Sequence, residues 1–241
     1  MNAAGLAGHW PGARPGPAAL LDNGAVHDDE AAAQARQRRL VRRGYDAVSE
    51  PYRDDEGRSA GTEDTSRYAG WAAELAERLQ PGARVLDLGC GAGIPATREL
   101  TDRGLQVIGV DFSAAQLHRA RRLVPDARLV QADMATVQFG AASLDAVVSF
   151  YAVIHLPLSD QRALFPRIRH WLRPTGLFLA IVGAQPWTGT ERFHGAEMFW
   201  EHAGTDSYLG WLAEARLAPL WDRFVPEGTA GGHSLILAWA C

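Results

Sequence analysis

The 241-residue chain contains no lysine: all 24 of its basic residues are arginine, set against 28 acidic ones for a net charge of −4. That balance, with a pI near 6.1, argues against a nucleic-acid partner, whose phosphates call for a basic face. Cysteine is scarce too. Cys90 lies inside a glycine-rich turn and Cys241 is the last residue, so neither suggests a disulfide framework or a metal-ligand cluster. No long apolar run suggests a membrane span. The first residues carry Trp10, Pro11, Pro15 and Pro17 but no basic stretch followed by an apolar core, so no secretory signal is expected and a cytoplasmic location follows by default. Arginine in place of lysine, beside abundant alanine, is the composition of a GC-rich bacterial genome. What the chain does have is apolar mass, 47% hydrophobic against 22% charged residues, enough to bury one sizeable core.

The organising stretch is Arg84-Val-Leu-Asp-Leu-Gly-Cys-Gly-Ala-Gly93. Val85, Leu86 and Leu88 form a short apolar strand pattern. Gly89, Gly91 and Gly93 then make a turn into a helical pattern from Ile94 to about Asp102, with Pro95 in its first turn, where a missing N–H costs nothing. Glycines suit a chain that turns sharply and lets a ligand approach its backbone, while the helix start presents free N–H groups. A second strand, Gln106 to Val110, ends at Asp111. That carboxylate falls about 20 residues beyond the turn, the distance at which a βαβ unit sets an acid on a ribose diol. The glycines are spaced G-x-G-x-G, not the G-x-G-x-x-G of pyrophosphate binders. Asp87, just before them, would repel a pyrophosphate and suits a ligand with an amino group and a sulfonium.

Asp87-Leu-Gly-Cys-Gly-Ala-Gly93 followed by Asp111 resembles motifs I and II of the class I S-adenosylmethionine-dependent methyltransferases, and the likeness covers roughly Tyr45 to the C-terminus. The resemblance implies a Rossmann-like, doubly wound, seven-stranded and mostly parallel sheet ending in an antiparallel hairpin, with S-adenosylmethionine as cofactor. It also implies roles. Asp87, with Gly89, Cys90, Gly91 and Gly93, takes the amino-acid end; Asp111, with Phe112 beside it, takes the ribose. Asp133 and the backbone of Met134 take the adenine, while Tyr45, Tyr52 and Phe150 lie near the methionine portion. His155, in His-Leu-Pro157, matches a position at the floor of the methyl-transfer site, either as general base or as a histidine that positions the loop. Tyr151 falls on the acceptor side.

The rest of the chain is organised around that core. Residues 1–27, rich in Gly, Pro and Ala, are expected to be a mobile tail, and 28–241 a single domain. A helix from Glu30 to about Val48, capped by Asp28 or Asp29, carries Arg36, Arg38, Arg39, Arg42 and Arg43 on a solvated face; Pro51 is expected to enforce its end. Asp54 to Asp64 reads as a loop, and Ser66 to Leu79 as a helix burying Trp71, Leu75 and Leu79. Ser113 and Gln116 form a capping-box pair for a helix to about Arg122. Strands follow at Ala127–Gln131, Leu144–Ser149 with Asp145 as its charged exception, and Leu177–Val182. Ser159 or Asp160 caps an intervening helix to about Leu172. Nearly continuous apolar strands alternating with amphipathic helices point to a parallel sheet covered on both faces.

From 183 to 204 the pattern breaks into an insertion expected to be a loop or short helical piece. Glu197-Met-Phe-Trp-Glu-His202 is similar to a segment of some small-molecule methyltransferases. Trp187, Phe193, His194, Trp200 and His202 therefore either wall an acceptor pocket or pack the insertion on its own domain. A helix from Thr205 or Asp206 and strands at Leu217–Val225 and Ser234–Ala240 close the chain, with His233 expected to have no catalytic role. The expected activity is transfer of the S-methyl group to oxygen, nitrogen or carbon of a small-molecule acceptor, natural products included, with His155, His194 or His202 as base where one is needed and no metal required. Two alternatives share the fold: a cofactor-retaining cyclase or decarboxylase, and a non-catalytic ligand-binding relative.

Overall fold

A computed structural model describes the backbone of residues 23–58, 66–227 and 231–241, and within them the side chains from residue 31 onward. The elements are α1 (Asn23–Tyr52), α2 (Ser66–Ala76), β1 (Arg84–Leu88), α3 (Ala96–Asp102), β2 (Gln106–Asp111), α4 (Ala114–Leu123), β3 (Arg128–Gln131) and β4 (Leu144–Ser149). After β4 come a 3-10 turn (Val153–His155), α5 (Leu158–Trp171), β5 (Leu172–Gly183), β6 (Trp187–Phe193), β7 (Ala196–His202), α6 (Thr205–Glu214), β8 (Leu217–Glu227) and β9 (Gly231–Ala240). Seven strands form one sheet in the order β3-β2-β1-β4-β5-β9-β8. Strands β1 to β5 run parallel, and β9 and β8 close the sheet antiparallel. This is the expected doubly wound architecture.

Strand alternation splits the core into two layers. Leu86, Leu88, Val147 and Phe178 face Leu164, Phe165, Ile168 and Trp171 of α5 and Tyr208 and Leu212 of α6. On the other face, Val85, Ala146, Val148 and Ile181 meet Ala72 and Leu75 of α2 and Leu100 of α3. β4 is buried at every position, which is why its sequence is nearly unbroken apolar. Asp145 is tolerated because its Oδ2 accepts from the Arg84 N–H at 2.7 Å and its other oxygen pairs with Arg173.

Several boundaries differ from expectation for local reasons. α1 starts at Asn23, inside the expected tail; residues 1–22 and the side chains of Asp28 and Asp29 lie outside the described residues. It also runs past Val48, with Pro51 inside its last turn. Arg119 of α4 reaches back to the Ser49 and Arg53 carbonyls at that end, supplying donors the terminating helix lacks. Arg38 leaves the solvated face to pair with Asp133 and Asp160. α2 stops at Ala76 and buries Tyr68, Ala72 and Leu75, while Trp71 and Leu79 are half-buried. α5 begins at Leu158, ahead of both expected caps, because Glu201 of β7 accepts from the Leu158 N–H at 3.0 Å. Only half of the capping box forms: Ser113 Oγ accepts from the Gln116 N–H, but the Gln116 side chain instead accepts from Ser49.

The largest correction is the insertion, which is neither loop nor helix. β6 and β7 form an antiparallel hairpin with Phe193 opposite Ala196. The two residues between, His194 and Gly195, both have positive φ (47° and 97°), the requirement of a type I′ turn. The hairpin is held down by α1, where Val41, Val48, Met198 and Phe199 are buried together. At about 1.5–3 kcal/mol per fully buried side chain, this contact outweighs exposed ion pairs worth at most about 1 kcal/mol each.

Candidate active site

The carboxyl ends of β1, β2 and β4 meet where the strand order reverses, the usual ligand crevice of an open α/β sheet. A cavity opens there, enclosing about 1020 Å³ of space between atoms with its mouth included. Asp87, Gly89, Cys90 and Gly91 line one wall, Asp111 and Phe112 the next, and Asp133 and Met134 the far end. Phe150 and Tyr151 follow β4, and Tyr45 and Tyr52 of α1 form the roof. Gly93 is not in the lining. A Cβ there would meet Val124 at 2.9 Å, so this glycine lets α4 pack closely.

The two acids are held without a cation. Asp87 is 3% exposed, and its Oδ2 accepts from Thr97 Oγ1 at 2.6 Å. Burial pushes its carboxyl up to about 6, against the pull of the Thr97 hydrogen bond and with help from Asp111. Asp111 accepts from the Gly91 N–H at 2.9 Å and the Ser113 N–H at 2.8 Å. Burial raises it to about 6 as well, opposed by those backbone donors. Asp133 is half-buried: Oδ1 accepts from the Ala135 N–H at 2.8 Å, and Arg38 lies 3.5 Å from Oδ2. The Cys90 thiol, buried between Asp87 and Asp111, is pushed up and stays protonated.

A second chamber lies beneath the hairpin, walled by Trp187, Phe193, Trp200 and His202 with Ile154. Five side chains, Tyr45, Tyr52, Tyr68, Tyr151 and His155, line both spaces. Tyr151 has φ 56°, a left-handed backbone that costs a non-glycine residue about 1–3 kcal/mol and recurs at functional sites. His194 is not in the lining; it sits in the hairpin turn with its ring against Phe193 and Tyr52.

His155 is locked. Its Nδ1 lies 2.8 Å from the Phe199 carbonyl and its Nε2 2.8 Å from the Tyr45 hydroxyl. A carbonyl only accepts, so Nδ1 carries the proton and Nε2 accepts from Tyr45. Burial drives its pKa down to about 4, against the Phe199 hydrogen bond and with a smaller push from His233. The ring is therefore neutral near pH 7, and the nitrogen that would take up a proton is the one that faces Tyr45. His202 is fixed likewise, its Nδ1 donating to the Gln185 carbonyl at 2.6 Å.

Comparison with known proteins bears directly on this site. Residues 85–176 match the model of a methyltransferase domain. A sterol 24-C-methyltransferase of Gibberella zeae is 30% identical over 138 residues, covering 55% of this chain and 35% of that protein. A carboxy-S-adenosyl-L-methionine synthase of Aliivibrio salmonicida is 36% identical over 115 residues, covering 44% and 47%. The match thus spans about a third to a half of the length of these two relatives. In structure, the 1,6-didemethyltoxoflavin-N1-methyltransferase of Burkholderia thailandensis, solved with 1,6-didemethyltoxoflavin and S-adenosylhomocysteine bound, superposes with a TM-score of 0.59 over 95% of this chain and 93% of that one, at 19% identity. Residues 85–176 of this chain are thus a methyltransferase domain, set in the fold of S-adenosylmethionine-dependent methyltransferases.

The residues that line the cavity fit S-adenosylmethionine. Two buried carboxylates with no ion-pair partner among the described residues suit a ligand carrying an ammonium and a sulfonium. Gly89 and Gly91, both at positive φ, leave the cavity wall there free of side chains. Sequence reasoning missed several groups that tertiary packing brings in. Arg53, Tyr68 and Gln116 line the cofactor cavity. Glu227 and His233 line the chamber, and Arg67 reaches both Tyr151 and Glu227. The arginines had no motif to mark them. His233, expected to have no catalytic role, lies with its Nδ1 3.1 Å from Glu227 and its ring 5.1 Å from Tyr151. The one available signal for the hairpin was His194-Gly195, a turn pair between alternating segments.

Proposed function

We propose that this methyltransferase transfers the S-methyl group of S-adenosylmethionine to a small-molecule acceptor seated in the aromatic chamber beneath the β6–β7 hairpin. The observation that carries the reading is the shared wall: the five side chains common to both spaces lie where a methyl donor and an acceptor would meet. When bound, the sulfonium supplies a carbon already activated for in-line displacement. The chain supplies alignment and exclusion of water. Tyr45 and Tyr52 cover the donor side, and Trp187, Phe193 and Trp200 offer flat apolar surfaces suited to a planar acceptor, natural products included.

Where the acceptor must lose a proton, Tyr45 takes it as its own phenolic proton passes to His155 Nε2. The imidazolium so formed replaces the positive charge that leaves the donor, so the charge in the cavity is unchanged. Asp87 serves the amino group, Asp111 the ribose and Asp133 the adenine. The toxoflavin enzyme, solved with 1,6-didemethyltoxoflavin and S-adenosylhomocysteine bound together, is consistent with such a pair of spaces.

Incubation with methyl-labelled S-adenosylmethionine and a panel of phenolic, enolic and heteroaromatic acceptors tests this reading. The expected result is labelled acceptor with an equal amount of S-adenosylhomocysteine. Tight binding of the cofactor with neither product across the panel would count against transfer and favour a cofactor-retaining reaction, the alternative that the carboxy-S-adenosyl-L-methionine synthase relative keeps open.

A further inference from the structure

We propose that His202 and His233, at one end of the aromatic chamber, read an uncharged hydrogen-bond donor on the acceptor, a hydroxyl or an N–H distinct from the group that is methylated, and disfavour acceptors that carry a carboxylate there. The proposal rests on the acceptor chamber assigned above and names the class of acceptor it takes. Both histidines, with Glu227, line the chamber but not the cofactor cavity. The His233 ring lies 5.1 Å from that of Tyr151, one of the five side chains of the shared wall. A group held by the histidines is therefore one side chain removed from that wall.

The two imidazoles lie 5.5 Å apart, centroid to centroid, and each has its Nδ1 engaged. That of His202 donates to the Gln185 carbonyl at 2.6 Å, which leaves Nε2 with a bare lone pair. Burial holds this ring below its ordinary pKa, so at pH 7 it is a neutral acceptor and a weak base. Trp187 stacks along it, 6.1 Å between centroids and 27° between planes. The Nδ1 of His233 lies 3.1 Å from a Glu227 oxygen. A carboxylate only accepts, so that nitrogen carries a proton and Nε2 is again the acceptor of the neutral ring. Neither Nε2 has a hydrogen-bond partner among the described residues.

The charge on Glu227 is already met. Arg67 donates to it at 3.2 Å through the same nitrogen that donates to the Tyr151 hydroxyl at 3.1 Å, and its other terminal nitrogen reaches the Pro226 carbonyl at 3.4 Å. Burial pushes the Glu227 carboxyl up, but His233, Tyr151 and Arg67 together hold it below the usual range, so it stays ionised. No unbalanced negative charge is left here to call for an ammonium group. An incoming carboxylate would face two nitrogen lone pairs and a second carboxylate, whereas a hydroxyl or N–H would find acceptors fixed in place. The other charged residues of the chamber, Glu191 and Arg192, are neighbours on β6 and of opposite sign.

The test is isothermal titration of the full chain saturated with S-adenosylhomocysteine, which fills the donor site without turnover. Three probes share one ring system: naphthalene-2,7-diol, 2-naphthol and 7-hydroxy-2-naphthoate. The native protein should bind the diol about 3- to 10-fold more tightly than 2-naphthol, the range for one hydrogen bond between uncharged groups, and the naphthoate more weakly than 2-naphthol. Combining His202→Phe with His233→Phe should bring the diol to within about 2-fold of 2-naphthol, and retained 2-naphthol binding reports that the chamber is intact. The order of the three probes on the native protein tests the proposal without any variant. Equal binding of diol and 2-naphthol by the native protein, or a diol preference that survives both substitutions, overturns it. So does a naphthoate that binds most tightly, the result an imidazolium at His233 would give. A protein that binds S-adenosylhomocysteine but none of the three probes removes the acceptor-chamber reading itself.

Discussion

Gly89 and Gly91 share a motif and a left-handed backbone, φ 78° and 55°, yet alanine should behave very differently at the two. At Gly91 the nearest atom to an added Cβ is Gln116 Oε1, 3.9 Å away; at Gly89 it is the Ala152 Cβ, at 2.2 Å, with Met134 Cε at 3.3 Å. Both substitutions carry the left-handed penalty of about 1–2 kcal/mol. At Gly89 the contact falls well inside the roughly 3.5–4.0 Å that two carbons prefer. The atom met is a short side chain with no rotamer to turn away, so backbone must move, at about 1–3 kcal/mol more. The expected destabilisation is therefore about 2–5 kcal/mol for Gly89→Ala against about 1–2 kcal/mol for Gly91→Ala. Urea unfolding of the two ligand-free variants, compared at a common m value, measures the difference. Equal losses, or a larger loss at Gly91, would refute the packing argument and return both glycines to the simpler role of letting a ligand approach.

Two further predictions concern charge and hydrogen bonding. Asp87 titrates near 6 when folded, pushed up by burial, against about 3.9 unfolded; its stabilising contribution is present below the unfolded value and is lost as pH rises through about 6. Asp87→Asn should therefore raise the stability of the ligand-free protein at pH 8 by about 1–3 kcal/mol, gain less at pH 5, and weaken S-adenosylmethionine binding. Unfolding at the two pH values, with titration of the cofactor, checks all three effects. Tyr45→Phe removes the donor to His155 Nε2, held at 2.8 Å, and should cost about 1–3 kcal/mol of stability. If Tyr45 is the proton acceptor, turnover of a phenolic or enolic acceptor should fall far more than affinity for S-adenosylhomocysteine; parallel losses would make the tyrosine a roof residue only.

How much of this was legible in the chain depended on the range of the interaction that decided each feature. Asp87, Gly89, Gly91 and Asp111 could be found because a βαβ unit converts a spacing of about 20 residues into a fixed distance across two neighbouring strands. Gly93 shared the motif but serves α4 packing, a distinction no spacing contains. The hairpin was misjudged because its aromatic content outweighed its turn pair, and because Met198 and Phe199 are buried by α1, more than 140 positions away in the chain. The surroundings of Arg53 and His233 escaped notice for the same reason. Their neighbours, the Ile94 carbonyl and Glu227, become neighbours only after the sheet has formed.

The amino-acid sequence by itself determined the doubly wound sheet, the strand order's reversal point and the acids at its rim, since alternation, glycine turns and loop lengths are local properties that a strand or helix expresses wherever it packs. Only the tertiary structure decided the tautomer of His155, the pairing of Tyr45 with it and the aromatic chamber under the hairpin. These depend on hydrogen bonds and burial between segments remote in sequence, and a buried polar group takes its charge and its proton from the partners that the finished fold leaves it.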